Sequence, residues 1–184
     1  MSKHPRKSRS ITLAALASLT LLGACATAVE PAHYASDTPR LDLRSYFNGT
    51  LDAHGMFQDR SGTVIKRFDV VMRCKWEGDV GTLDEDFTYA DGTRQKRIWT
   101  LRKTGADTYI GTAADVVGQA EGTVAGNALR WRYTLALPVD GKVIDVHMED
   151  WMYLINDRVM LNRAAMSKYG FHVGDVTLSF DRRQ

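Results

Sequence analysis

The sequence predicts an all-β fold: a mainly antiparallel, up-and-down barrel of roughly ten strands, with one short helix near the C-terminus. Three observations predict it. Beyond residue 45 the chain alternates apolar and polar side chains with period two, the pattern of strands buried on one face. Turn-forming pairs punctuate it at short spacing. Successive runs are joined by hairpin-length links rather than long crossovers, which favours a barrel over a Greek-key sandwich.

The chain opens on a different kind of segment. Met1 to Ser10 carries Lys3, Arg6, Lys7 and Arg9 with no acidic residue, and Ile11 to Leu22 is apolar except at Thr12, Ser18 and Thr20. Leu22-Gly23-Ala24-Cys25 closes the run. A basic start, a short apolar core and small residues before a cut site predict a secretory signal peptide over residues 1–24. The core is too short for a membrane-spanning helix, which needs about 20 residues. The cysteine behind Leu-Gly-Ala resembles the bacterial lipobox, which implies lipidation of Cys25 with palmitate-type chains. The alternative is an ordinary cleaved signal with Cys25 present by chance. Two or three acyl chains suffice for stable anchoring. Ala26 in place of Asp behind the acylated residue implies the cell envelope, at the periplasmic face of the outer membrane.

Losing those four basic residues leaves 20 Lys and Arg against 22 Asp and Glu, a formal balance of −2. Such a composition offers no basic surface for nucleic acid. With Cys25 consumed by lipid, Cys74 stands alone and no internal disulfide can form. It sits among apolar residues of a predicted strand and is read as a buried, inert thiol.

Residues 25–40 read as the lipidated N-terminus and a flexible tether, with Pro31, Pro39 and no apolar periodicity. Residues 41–184 suit a single β-barrel domain. Phe68, Val70, Met72, Cys74 and Trp76 share one face of a strand whose other face holds Asp69, Arg73 and Lys75. Trp131, Tyr133, Leu135 and Leu137 repeat the pattern, as do Val176, Leu178 and Phe180. Between the runs lie Glu77-Gly78-Asp79, Asp91-Gly92, Thr104-Gly105, Gly126-Asn127, Asp140-Gly141 and Asn156-Asp157, pairs that supply hairpin turns. The short helix is expected at Ala164 to Lys168, ended by Gly170. Lys66, Arg73, Arg130 and Arg132 break any continuous lipid-facing band, against a membrane-spanning barrel.

No G-x-S-x-G, H-E-x-x-H, phosphate-binding glycine loop or paired C-x-x-C is present, and the histidines lack ligand-like spacing. The reading is therefore a non-enzyme with no catalytic residues, no metal and no cofactor. Two acids interrupt faces that are otherwise apolar. Asp150 lies in phase with Ile144, Val146, Met148 and Met152; Glu85 lies in phase with Leu83, Phe87 and Tyr89. A carboxylate inside a barrel costs several kcal/mol unless paired or neutral. Either these are structural, as ion pairs with Arg97 or Arg163 or through a β-bulge at Glu149 that turns Asp150 outward, or they are polar anchors in an apolar ligand site. The second reading makes Glu85, Trp99, Trp131, Tyr133, Asp150, Trp151 and Arg163 the candidate ligand contacts. The small residues of Thr112 to Gly122 either allow close strand approach or leave room inside.

Phe47-Asn48-Gly49, Leu83-Asp84-Glu85-Asp86-Phe87, Tyr89-Ala90-Asp91-Gly92, Arg97-Ile98-Trp99, Gly126-Asn127-Ala128-Leu129, Glu149-Asp150-Trp151-Met152-Tyr153 and Asn162-Arg163-Ala164 occur in that order, with Lys168-Tyr169-Gly170 behind them. Together they resemble the uncharacterised bacterial lipoproteins of domain-of-unknown-function family 3833, from about Phe47 to Phe180. The resemblance implies a predicted lipoprotein of lipocalin-like build and brings no catalytic residues. The lipocalin Gly-x-Trp opening is missing, since Leu51 stands behind Gly49. The partners this implies are a membrane, through the lipid anchor, and an apolar small molecule such as a lipid or fatty acid. The alternative is a solid-core barrel acting as an envelope interaction or scaffold protein; a lipid-related enzyme ranks third.

Overall fold

Alternating side chains close into a wall when every strand finds two neighbours, and the chain does this in strict sequence order. The structure, a computed structural model, describes residues 28–139 and 141–183. The signal segment 1–24 and Cys25 lie outside the described residues. The strands are β1 (Gly49–Asp59), β2 (Val64–Glu77), β3 (Val80–Tyr89), β4 (Arg94–Lys103) and β5 (Thr108–Thr112), then β6 (Val116–Ala125), β7 (Ala128–Val139), β8 (Lys142–Leu154), β9 (Val159–Lys168) and β10 (Phe171–Arg182). Each pairs antiparallel with the next, and β10 pairs with β1 to close the barrel. This is the up-and-down antiparallel barrel that the alternation predicts.

The register puts the apolar sets inside. Phe68, Val70, Met72 and Cys74 of β2 are buried, as are Trp131 and Leu135 of β7 and Val146, Met148 and Leu154 of β8. Outward faces carry cross-strand ion pairs such as Arg73–Asp86 and Lys96–Asp84. Such exposed pairs add little stability but keep the wall in water.

One end of the barrel is plugged. A one-turn helix, α1 (Leu43–Tyr46), is capped by Asp42, whose carboxylate accepts from the Ser45 amide at 2.9 Å. Leu43, Tyr46 and Phe47 sink into the core there. The Tyr46 hydroxyl donates to the carbonyls of Arg158 (2.9 Å) and Phe180 (3.2 Å), and Trp76 Nε1 donates to the Phe47 carbonyl at 2.9 Å. Among the described residues no helix covers the opposite end, where β1–β2, β3–β4, β5–β6, β7–β8 and β9–β10 turn.

Two expectations are corrected. The helix expected at Ala164 to Lys168 is the end of β9, with Asn162, Ala164 and Met166 buried and Arg163 exposed between them. Helix propensity is a weak preference that burial of a period-two face overrides. Gly170 (φ 81°) and Tyr169 (φ 51°) form a two-residue hairpin turn, with Lys168 opposite Phe171. The tether expected up to residue 40 makes defined contacts with the barrel at Glu30, Pro31, Tyr34 and Arg40. A 3-10 turn at Pro31–Tyr34 lies on β6 and β7. Tyr34 sits edge-on against Trp151 and Tyr153, Arg130 pairs with Glu30 at 2.9 Å, and Arg40 pairs with Asp107 at 2.8 Å.

The wall has a seam beside β5. β5 is short and pairs with β4 only from Thr100 to Lys103. Arg94 to Trp99 of β4 therefore pair with β3 but have no β5 partner on their other side. Arg97 crosses this gap to Asp115, its Nε donating to Oδ2 at 3.0 Å and its Nη2 to the same oxygen.

Candidate functional site

Ten strands enclose more space than the roughly eight whose interior side chains just fill. Here the surplus is a cavity of about 130 Å³ between the α1 plug and the turns. Its walls are apolar and aromatic, with Phe57, Phe68, Met72, Trp99, Trp131 and Met148 among the lining. Trp131 meets Trp99 edge-on at 6.0 Å between centroids. It fits because glycines of β5 and β6 face it, as a Cβ on Gly122 would lie 2.1 Å from its ring and one on Gly111 2.6 Å away. The small residues around Gly122 thus serve close approach.

Five polar side chains line the same space: Glu85, Arg97, Tyr133, Asp150 and Asn162. Glu85 and Arg97 are directly opposed across β3 and β4, and Asp150 lies between Trp131 and Ala164. β8 keeps regular register through Glu149 and Asp150, so no bulge turns Asp150 outward. The Asp150 carboxyl accepts from Asn162 Nδ2, which also donates to the Trp151 carbonyl at 3.1 Å. Burial pushes the Asp150 carboxyl up to about 7, against the opposing hydrogen bonds from Asn162 and Tyr133. Burial likewise pushes Glu85 up to about 7, with Arg97 pulling down and Asp115, Asp150 and Asp84 adding to the rise. Tyr133 is raised by burial and by Asp150, so it stays a hydroxyl donor. Arg97 spends its Nε and Nη2 on Asp115 and leaves Glu85 without a hydrogen bond or ion pair among the described residues.

Of the candidate contacts, the structure brings together Glu85, Trp99, Trp131, Tyr133 and Asp150. Trp151 and Arg163 are corrections. Trp151 is on the outer face, stacked 6.0 Å from Tyr153 beneath Tyr34, and Arg163 is exposed outside the barrel beside Asp175. The cause is the strand period itself: neighbours of inward Asp150 and Asn162 must point out. Asn162 and Arg97 are the site members left off the candidate set. Asn162 was visible as the polar residue in phase with Met160, Ala164 and Met166. Nothing in the sequence pointed to Asp115 as the partner of Arg97.

Other reactive groups lie elsewhere. Burial, with the charges of Glu85 and Asp84, pushes the Cys74 thiol up to about 12, so it stays protonated. His54 pairs with Asp69 and His172 with Asp175, both on the outside. Among the described residues no group of three or more His, Cys, Asp or Glu side chains is placed to hold a metal ion.

Fold and site together define a small closed antiparallel barrel with an internal, largely apolar cavity and a polar cluster in its wall. The chain belongs to the family described as protein of unknown function (DUF3833), whose model matches residues 19–182. No curated protein sequence matches it. Its fold is similar to that of an S-type phycobiliprotein lyase, CPES, from Guillardia theta: TM-score 0.56 at 7% identity, over 79% of this chain and 94% of that one. It is also similar to a protein with unknown function of the DUF3598 family from Nostoc punctiforme. That match has a TM-score of 0.54 at 10% identity, over 80% of this chain and 51% of the other. At such identities the likeness concerns the fold alone.

Proposed function

We propose that this protein is a cell-envelope lipoprotein, anchored by acylated Cys25, whose barrel binds a small, mainly apolar molecule such as a lipid or fatty-acyl fragment. The observation that carries the binding reading is the cavity of about 130 Å³ with polar groups converging on an apolar space. An apolar cavity of about 150 Å³ accepts benzene, whereas drug-sized ligands need pockets of about 300 Å³ or more. The cavity therefore takes a ring or a short length of chain, with any remainder of the ligand outside. The anchoring reading rests on Lys3 to Arg9, the apolar run to Leu22 and the cysteine behind Ala24. Binding rather than catalysis is favoured because the Cys74 thiol stays protonated and Asp150 is held by amide and phenol donors.

Native mass spectrometry of the full chain released from detergent micelles tests the binding reading. A co-purifying small mass that disappears on solvent extraction and returns on adding lipid supports it; a ligand-free mass unchanged by lipids and small aromatics refutes it. Radiolabelled palmitate tests the anchor. Label must enter the wild type and be absent from Cys25→Ser.

A further inference from the structure

The polar atoms of the cavity wall can be accounted for one by one. The amide donors of Asn162 and two guanidinium nitrogens of Arg97 beside the two acids are already committed. Asn162 Nδ2 donates to Asp150 and to the Trp151 carbonyl, the Tyr133 hydroxyl lines the cavity with Asp150, and Arg97 Nε and Nη2 both donate to Asp115. The acceptors are in surplus. Glu85 is more than nine-tenths buried, lines the cavity and has no partner for either carboxyl oxygen among the described residues. Charge gives the same answer. Three carboxyls (Glu85, Asp115, Asp150) share one guanidinium, whose direct contacts go to Asp115. Asp84 and Glu149, on the outer faces beside them, add negative charge rather than relief.

A buried acceptor without a donor is destabilising, and more so if it is charged. A ligand that brings the donor recovers that cost; one that brings another acceptor increases it. We propose that the cavity selects ligands with a basic nitrogen, an apolar body ending in an amine, with the N–H donors on Glu85 and the aromatic walls of Trp99 and Trp131 around the adjoining carbons. This inference rests on the cavity being a ligand site and names the polar end of what enters it. It sets a free fatty acid aside, because a carboxylate would meet two acids and a cation already paired. An ammonium beside Glu85 favours the ionised carboxylate. Uptake near neutral pH therefore releases the Glu85 proton to solvent as the ammonium–carboxylate pair forms, and the charge inside is balanced.

The test is isothermal titration of the full chain with three water-soluble probes sharing one ring: benzylamine, benzyl alcohol and benzoate. Benzylamine is expected to bind at least about ten-fold tighter than benzyl alcohol, since a charge-assisted hydrogen bond is roughly twice as strong as a neutral one. Benzoate is expected to be the weakest of the three. At pH 6.5 the heat of benzylamine binding should vary with buffer ionisation enthalpy, reporting released protons. Glu85→Gln should bring benzylamine to the level of benzyl alcohol while benzyl alcohol still binds. Asp150→Asn, which leaves Glu85 in place, should keep much of the preference. Equal binding of amine and alcohol, or tightest binding of benzoate, overturns the amine inference and leaves the cavity reading standing. Failure of all three to bind overturns both.

Discussion

Glu85→Gln removes an ionisable group from the cavity wall and changes its shape hardly at all, so its effect on stability should depend on pH. The Glu85 carboxyl is raised from 4.5 to about 7 in the folded chain, chiefly by burial. Below pH 4.5 it is protonated both folded and unfolded, and its contribution is fully present. Between 4.5 and 7 the unfolded chain releases the proton while the folded chain holds it, so stability falls as pH rises. Above 7 both states are ionised and the loss is complete. The shift of roughly 2.5 units, at about 1.4 kcal/mol each, corresponds to about 3 kcal/mol. Gln cannot ionise and escapes this penalty. Asp150 follows the same sign over a similar window, so the variant keeps part of the wild-type slope. The assay is urea unfolding of both proteins at pH 4.5, 6 and 8, with fixed ionic strength. Relative to wild type, Glu85→Gln should gain on the order of 3 kcal/mol from the lowest pH to the highest. A difference between the two proteins that stays constant across that range would refute a buried, proton-holding Glu85.

Three further outcomes follow from the packing. Gly122→Ala places a Cβ against the Trp131 ring and should cost about 1–3 kcal/mol in the urea midpoint analysis, with altered tryptophan emission. Tyr46→Phe removes the hydroxyl that donates to the carbonyls of Arg158 and Phe180 at the plug, while the Arg182 amide still donates to Arg158; a loss of about 1 kcal/mol is expected by thermal unfolding. Native Cys74 should resist iodoacetamide at pH 8 and react only when urea opens the barrel, as read by peptide mass spectrometry.

The barrel was legible because period-two burial is a local signal repeated in every strand. Phe68 to Trp76 and Trp131 to Leu135 carry it without interruption, and their turn pairs separate the strands. The two wall acids were legible for the same reason, as polar residues in an apolar phase. Trp151 and Arg163 were misassigned by adjacency to Asp150 and Asn162, although the alternation that turned those residues inward already turned their neighbours outward. The Arg97–Asp115 pair was not legible, because it depends on where β5 stops and how the following loop crosses the gap. Nor was the packing of Tyr34, since its docking surface of Trp151 and Tyr153 exists only once β8 is in place.

The seam beside β5 has a kinetic consequence. Elsewhere, parting two strands breaks a ladder of backbone bonds at once, a near-global event. Between β4 and the β5–β6 loop the barrier is one guanidinium–carboxylate pair, only partly shielded from water. Openings there should outnumber those of the rest of the wall, and amides of Arg94 to Trp99 not bonded to β3 should exchange hydrogen first among the β4 amides. Arg97 also lines the cavity. The motion that admits solvent at the seam therefore shifts the same charge that faces Glu85, so traffic through the wall and the protonation of the interior run on one clock.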